Sequence, residues 1–118
     1  MTINYHDFYT LFGAATAEQD RERYIAEWSS SSISYPDADS PDINADDLAG
    51  ALENIWDVAH LTTRDIRQHM GLTQAAFAER FCIRLRTAQN WETEHREVPR
   101  HVILLMANEA GMLHVKRE

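Results

Sequence analysis

The feature that most constrains the fold is a pair of short amphipathic segments within residues 62–99. The first segment begins at Thr73, whose hydroxyl can cap the free N–H groups of a helix that runs to Phe81. Phe77 and Phe81 are four residues apart and share one face, and the small Ala78 lets a neighbouring helix approach closely. The pattern predicts a short helix that packs through its phenylalanines.

A tight turn at Cys82 and Ile83 separates this helix from a second one, predicted over residues 85–92. Helical spacing turns Ala88 and Trp91 inward. The side chains on the outer face are Leu85, Arg86, Gln89 and Asn90. Two short helices joined in this way form a helix-turn-helix.

The outer face of the second helix has the chemistry of a DNA-reading surface. An α-helix fits the major groove, where arginine bonds guanine O6 and N7, and asparagine or glutamine bonds adenine N6 and N7. Arg86, Gln89 and Asn90 are residues of these types. The sequence therefore predicts contact with double-stranded DNA.

The same stretch resembles the Xre/Cro, or lambda-repressor-like, helix-turn-helix proteins of bacteria and phages. The matching residues, within 62–113, are Arg67, Gly71, Leu72, Thr73, Gln74, Phe77, Ala78, Ile83, Thr87, Asn90, Trp91, Glu92 and Pro99. The resemblance implies an all-α, five-helix domain that works as a homodimer on a palindromic operator.

The resemblance also assigns roles to single residues. It implies a phosphate contact from Gln74 and a backbone or minor-groove contact from Arg100, with Arg96 nearby. It suggests an internal ion pair between Arg67 and Glu92. The predicted DNA-binding residues are Thr73, Gln74, Arg84, Leu85, Arg86, Thr87, Gln89, Asn90, Arg96 and Arg100, among which Leu85, Arg86 and Asn90 are the implied base contacts.

Two positions depart from the family pattern. Cys82 stands where the turn usually has glycine, which predicts either a positive φ at a cost of about 1 kcal/mol or a slightly opened turn. We interpret Cys82 as a small buried turn residue rather than a redox sensor. The loop after the second helix is also acidic for a surface near phosphate, since it contains Glu92, Glu94 and Glu97.

Charge divides the chain into two halves. The net charge is −8, but residues 1–59 carry −10 and residues 60–118 carry +2. This asymmetry predicts two roles, with the C-terminal half facing nucleic acid and the N-terminal half facing another partner or repelling it.

The N-terminal half contains two predicted helices with aromatic stripes, the first at residues 4–12 and the second from Thr16 to about Trp28. The stripes can pack onto the rest of the protein or form part of a partner interface, where aromatic residues concentrate. The candidate partner-binding residues are Tyr5, Phe8, Tyr9, Phe12, Tyr24 and Trp28.

A Ser/Pro/Asp-rich stretch over residues 29–42 predicts a linker. After it, Leu48, Leu52, Ile55 and Trp56 recur at helical spacing and predict a third helix, which we assign as the first helix of the C-terminal domain or as a helix that joins the halves. The predicted organisation is therefore an acidic helical extension with its linker at 1–43, followed by the helix-turn-helix domain at 44–118.

Other classes of protein are disfavoured. Cys82 is the single cysteine, so an intramolecular disulfide and a cysteine-cluster zinc site are excluded. No catalytic motif is present and the six histidines are dispersed, so we expect no enzyme activity, no cofactor and no metal site. The N-terminus lacks a signal-peptide pattern and no apolar run could span a bilayer, so we expect a cytoplasmic, nucleoid-associated protein without membrane contact.

The resulting hypothesis is a sequence-specific DNA-binding regulator that represses transcription. Small proteins of the resembled family are often antitoxins, so the acidic N-terminal half could cover the basic surface of a toxin. The alternative is a protein-interaction adaptor that keeps the helix-turn-helix scaffold with weak or no DNA binding. A third hypothesis has the acidic segment fold over the recognition surface and switch binding off.

Overall fold

The computed structural model describes residues 2–29, 45–93 and 96–118, with only the backbone described for Ala45 and Asp46. Beyond Ser29, the predicted linker lies outside the described residues. The chain forms two compact units, of which the first contains residues 1–60 and 113–118 and the second contains residues 61–112.

Helices dominate both units, as the sequence predicted. In chain order they are α1 Tyr5–Ala17, α2 Arg21–Ser29, α3 Ala45–Ala59, α4 Thr63–Met70, α5 Gln74–Arg80, α6 Leu85–Glu92 and α7 Arg100–Glu109. Two very short strands, β1 Thr2–Ile3 and β2 Lys116–Arg117, pair in parallel, with Thr2 opposite Lys116.

The first unit packs α3 against both α1 and α2. Leu11, Leu52 and Ile55 are fully buried at the centre of this packing. Tyr24 is also fully buried, and its hydroxyl donates a hydrogen bond of 2.8 Å to the carbonyl of Leu11. A buried hydroxyl needs such a partner, so this bond ties α2 to α1 while the ring fills the core.

The position of α3 differs from the predicted domain boundary at residue 43. Its apolar stripe is buried in the first unit, and two polar contacts hold it there. The Trp56 indole N–H donates to the carbonyl of Glu18 at 2.9 Å, and the Arg21 guanidinium makes bonds of 2.9 and 3.1 Å to Asp57. The bonds to Asp57 also raise the pKa of Arg21 above its ordinary value.

The predicted range 44–118 contains the five helices α3 to α7, as the family resemblance implied. Four of them, α4 to α7, belong to the second unit, whereas α3 is grouped with the first. Fully buried Ile66, Phe77, Ala88 and Ile103 bring one side chain from each helix into the core. The predicted inward faces of α5 and α6 are therefore confirmed at Phe77 and Ala88.

Two side-chain N-caps start helices of the second unit, at Thr62 and at Thr73, of which the sequence analysis predicted the second. The Thr62 hydroxyl accepts from the Asp65 backbone N–H at 3.1 Å, and the Asp65 carboxylate accepts from the Thr62 N–H at 2.9 Å. This reciprocal capping box starts α4. At the start of α5, the Thr73 hydroxyl accepts from the Ala76 N–H at 3.1 Å.

Three helices of the second unit end in the same backbone motif. After α4 and α7, the left-handed residue is Gly71 at φ 70° and Gly111 at φ 76°. After α5 it is Cys82 at φ 56°, with the Ile83 N–H donating to the Ala78 carbonyl at 2.9 Å and the Cys82 N–H to the Glu79 carbonyl at 3.3 Å. This pair of bonds is the Schellman motif, which usually has glycine at this position.

Cys82 therefore adopts the positive φ that the sequence predicted, and the turn stays closed. The expectation that its side chain is buried was wrong, because Cys82 is exposed. The left-handed backbone directs the side chain of the turn residue away from the core that Phe77 and Ala78 form.

Replacing Cys82 with glycine should stabilise the protein. We expect Cys82→Gly to increase the free energy of unfolding by roughly 0.5 to 1 kcal/mol, because glycine removes the left-handed strain but adds entropy to the unfolded chain. Urea denaturation followed by circular dichroism measures the change.

Cys82→Ser is the matched control, because it removes the thiol and keeps the backbone demand. It should leave the denaturation midpoint close to that of the original chain. Equal stabilisation by Ser and Gly would show that the thiol, and not the φ angle, sets the cost.

Candidate nucleic-acid interface

The outer face of α6 is open to solvent. Ala88 is 1% exposed and faces the core, while Leu85 is 43% exposed and Arg86 and Gln89 are also exposed. Leucine at this exposure is an apolar group available to a partner. Helical spacing places these outward residues on one side of the eight-residue helix.

The cationic groups at the start of α6 face solvent. Arg84 and Arg86 are exposed, and neither has a salt-bridge or side-chain hydrogen-bond partner in the part of the chain that the structure describes. Arg84 is the N-cap residue and offers no side-chain acceptor to the first turn. As in any α-helix, the first N–H groups of α6 have no intrahelical acceptor. The helix dipole favours an anion near this end of the helix.

The remaining predicted contact residues lie around this face. Thr87 and Asn90 are half-buried at its edges, and Arg96 is exposed in the segment after α6. Thr73 is exposed at the N-cap of α5, where its hydroxyl is occupied by the cap. α5, the turn and α6 thus bring the predicted residues 73–90 into one contiguous stretch of surface.

A buried carboxylate joins α6 to the two preceding helices. The Glu92 side chain is 5% exposed, and its Oε1 accepts from Arg67 Nε at 3.0 Å and Arg67 Nη2 at 2.8 Å. Its Oε2 accepts from Gln74 Nε2 at 2.7 Å, and Arg64 Nε lies 3.6 Å from Oε1. The ion pair that the resemblance suggested is confirmed, and it has two further members.

Sequence reasoning missed the role of Gln74 in this cluster. One amide N–H of Gln74 is used by Glu92, so one N–H and the carbonyl oxygen remain for the predicted phosphate contact. The bond fixes the orientation of the amide, because a carboxylate accepts from the NH₂ end only. For Arg64, the other added member of the cluster, the sequence did contain a signal. Arg64 and Arg67 are three residues apart, so both lie on the side of α4 that can reach Glu92.

Arg100 donates hydrogen bonds within the second unit. Its Nη1 donates to the carbonyl of Leu61 and its Nη2 to the carbonyl of Val98, each at 3.2 Å. These bonds hold the loop before α7 against the segment before α4, and the backbone or minor-groove contact of Arg100 stays a prediction.

The acidic loop after α6 is less acidic on its surface than its sequence indicates. Glu92 is directed into the protein and neutralised by Arg67. Glu97 is exposed, whereas Glu94 and His95 lie outside the described residues.

The candidate partner-binding residues of the first unit divide into two groups. Phe8, Phe12 and Tyr24 are buried at 3%, 9% and 0% exposure, so their assignment to a partner surface is corrected: they form the core. Tyr5 and Tyr9 are 64% and 78% exposed on the other side of α1. Trp28 is half-buried.

Clusters of potential metal ligands and helices of membrane-spanning length were sought among the described residues. Within residues 2–29, 45–93 and 96–118, no three His, Cys, Asp or Glu side chains converge on a common point. None of the helices described is both long enough and apolar enough to cross a bilayer.

Breaking the Glu92 cluster should destabilise the second unit. We expect Arg67→Ala to lower the free energy of unfolding by roughly 2 to 4 kcal/mol, because it leaves the buried Glu92 carboxylate without its arginine partner. Arg80→Ala is the control, since Arg80 pairs with Glu109 at the surface and should contribute less than about 1 kcal/mol. Equal losses in urea denaturation would contradict a special role for the cluster.

Comparison with known proteins agrees with this geometry. Residues 64–112, from α4 to just beyond α7, match the model of a helix-turn-helix family. The chain has no significant match to a curated protein or to a solved structure. A helix-turn-helix of this kind supports a DNA-binding regulator. Residues 64–112 thus form a helix-turn-helix that is similar to those of the Xre/lambda-repressor-like family.

Proposed function

We propose that the protein binds double-stranded DNA in a sequence-specific manner and represses transcription. The observation that carries this proposal is the outer face of α6, where exposed Arg84 and Arg86 have no intramolecular partner among the residues that the structure describes. An arginine without a partner keeps all its donors for a ligand. Gln89 and Leu85 on the same face add an amide and an apolar contact.

In the proposed complex, α6 lies in the major groove. Arg86 donates two hydrogen bonds to guanine, while Gln89 and Asn90 can bond adenine, and Leu85 can contact the thymine methyl group. Arg84 and Arg96 supply phosphate contacts, which position the helix without reading sequence. Thr73, Gln74 and Thr87 flank this surface.

The Glu92 cluster supports this use of α6. Because Glu92 ends α6 and is bonded to Arg67 on α4 and to Gln74 on α5, the recognition helix is held at both adjoining helices. A reading helix must keep its side chains in register with base edges, so this rigidity favours sequence reading over diffuse charge attraction.

Repression follows from occupying a promoter. Two copies would place their α6 helices in successive major grooves about one turn, ~34 Å, apart on a palindromic operator. This role places the protein in the cytoplasm at the nucleoid.

The proposal distinguishes two arginines. We expect Arg86→Ala to weaken binding to the preferred site by roughly 1 to 3 kcal/mol and to relax base choice at one position. Arg96→Ala should weaken all sequences alike and reduce the salt slope by about one. Titration of both variants on selected and random DNA at two salt concentrations measures these effects.

Arg23→Ala is the control for lost positive charge, since Arg23 lies in the first unit near Glu18. It should leave the affinity and base preference close to those of the original chain. Equal losses for Arg86→Ala on selected and random DNA would remove Arg86 from base reading.

A second proposed role belongs to the first unit, which we propose as the toxin-binding part of an antitoxin. Its residues contain four Lys or Arg against thirteen Asp or Glu. Tyr5 and Tyr9 add two exposed aromatic rings one helical turn apart. An acidic surface with exposed tyrosines suits a basic protein partner such as an RNA-cleaving toxin.

Affinity capture from the source cells tests the antitoxin role. The expected result is a basic partner that is retained by the original chain and lost on Tyr5→Ser/Tyr9→Ser, whereas Thr10→Ser on the same helix retains it. Capture without any basic enzyme, or equal capture by the double variant, would count against the role.

DNA selection distinguishes the proposed DNA-binding function from the alternative of a protein-interaction adaptor. The adaptor was motivated by the acidic loop after α6, and the burial of Glu92 removes one of its three carboxylates from the surface. Selection from a random DNA pool by the full chain, at two salt concentrations, should recover a palindromic site. Recovery of no preferred sequence would favour the adaptor.

A further inference from the structure

A cavity of about 250 Å³ opens on the second unit beside the start of α4. It lies among the first residues of α4, the end of α6 and the segment that leads into α7. The residues that carry the argument are Thr63, Trp91, Arg96, Glu97, Val98 and Arg100. All of them belong to the second unit, so the cavity is formed within one compact part of the chain.

The cavity lining includes a buried hydroxyl that makes no hydrogen bond. Thr63 is 2% exposed, and its Oγ1 has no hydrogen-bond partner within residues 2–29, 45–93 and 96–118. A buried hydroxyl without a partner costs free energy, and such groups are rare in folded proteins. Thr62 supplies the side-chain cap of α4, so the cap does not use the Thr63 hydroxyl. A ligand that enters the cavity can supply the missing bond.

The solvent side of the cavity has one cation and one anion. Arg96 and Glu97 are exposed, and neither has a salt-bridge or side-chain hydrogen-bond partner among the described residues. Arg100 differs, because its guanidinium donates to the carbonyls of Leu61 and Val98. Arg96 can donate to a carboxylate, and Glu97 can accept from an ammonium group. Since both line one cavity, they suit a ligand that carries both groups.

Much of the remaining wall is apolar and includes an aromatic ring. Half-buried Trp91 and buried Val98 supply this part of the wall. An indole ring packs favourably against another aromatic ring. The volume is below the ~300–1,000 Å³ of cavities that hold drug-sized ligands, so the cavity suits a molecule with a single ring.

We propose that this cavity binds a small zwitterion with an aromatic body and a polar tip, of which L-tyrosine is the simplest example. Arg96 binds the carboxylate and Glu97 binds the ammonium group. The ring packs on Trp91, and the phenolic hydroxyl bonds to the buried Thr63 hydroxyl. A simple carboxylic acid would be repelled by Glu97, and a simple amine would be repelled by Arg96.

The ligand and DNA share Arg96, and this part of the inference rests on the proposed function. A carboxylate bonded to Arg96 occupies donors that a DNA phosphate would otherwise use. At about 100° per residue, Trp91 lies roughly 160° around α6 from Gln89, so a ligand packed on Trp91 leaves the base-reading face uncovered. The ligand therefore weakens DNA binding without changing base choice.

Calorimetric titration of the full chain without DNA tests the site. L-Tyrosine should bind, and L-phenylalanine, which lacks the hydroxyl, should bind about tenfold more weakly. Tyramine lacks the carboxylate and hydroxyphenylpropanoate lacks the amine, so each should also bind about tenfold more weakly. Absence of L-tyrosine binding would overturn the proposal. So would analogues that bind as tightly as L-tyrosine.

Substitution of Thr63 tests the buried hydroxyl. Thr63→Val keeps the shape of the side chain and should reduce the affinity for L-tyrosine about tenfold, with no change for L-phenylalanine. Thr63→Ser keeps the hydroxyl and is the matched control. Because Thr63→Val removes an unbonded buried oxygen, urea denaturation should show no loss of stability. An unchanged affinity for L-tyrosine in Thr63→Val would overturn this contact.

Two further variants test the charged groups. Arg96→Gln should lose the preference for L-tyrosine over tyramine, and Glu97→Gln should lose the preference over hydroxyphenylpropanoate. Arg80→Gln is the control for lost positive charge, because Arg80 pairs with Glu109 at the surface and does not line the cavity. It should keep both preferences. Unchanged preferences in Arg96→Gln and Glu97→Gln would overturn the assignment of the charged groups.

DNA titration tests the shared use of Arg96. Saturating L-tyrosine should weaken binding to selected and random DNA by the same factor and lower the salt slope by about one, since one phosphate contact is lost. Arg96→Gln should abolish this effect of the ligand. An unchanged DNA affinity, an altered base preference or an effect that survives Arg96→Gln would overturn the shared use.

The two assays also separate this inference from the proposed function. If L-tyrosine binds with the expected order of analogues while no DNA sequence is preferred, the DNA function fails and the ligand site stands. If the chain selects a palindromic sequence while L-tyrosine does not bind, the ligand site fails and the DNA function stands.

Discussion

The arrangement of the helix-turn-helix depends on one buried carboxylate. Glu92 ends α6, and its two oxygens accept from Arg67 on α4 and Gln74 on α5. A buried ion pair adds little net stability, because desolvation offsets much of the attraction. The ion pair instead fixes geometry, because the planar guanidinium and the amide can donate to Glu92 only over a narrow range of α6 positions. The contacts of Glu92 with Arg67 and Gln74 therefore fix the orientation of the outer face of α6.

Local features of the second unit were predictable from the sequence because they depend on residues close together in the chain. The caps at Thr62 and Thr73 and the inward turn of Ala88 follow from side chains within one or two turns. The left-handed backbone at Cys82 was predictable for the same reason, because the short turn between α5 and α6 requires it. The two hydrogen bonds of Arg100 could not be predicted in this way, because they go to carbonyls whose positions depend on tertiary folding.

The partner of α3 could not be predicted in the same way. Its stripe of Leu52, Ile55 and their neighbours shows that one face is buried, but a stripe does not specify what covers it. Hydrogen bonds between residues far apart in sequence hold α3 in the first unit. Trp56 is bonded to Glu18, and Asp57 is bonded to Arg21. The same ambiguity applied to the aromatic stripe of α1, which divides into core residues and exposed tyrosines.

The pairing of β1 with β2 has a consequence for the order of folding. Because Thr2 lies opposite Lys116, the first unit is built from both ends of the chain, and the helix-turn-helix is encoded between them. A ribosome delivers residues 61–112 before the strand that completes the first unit. The first unit is therefore closed only when Thr2 and Lys116, which the whole helix-turn-helix separates in sequence, come together and Leu113 and Val115 are buried. Contacts over so long a loop cost chain entropy before they form, which makes this closure the slow part of folding.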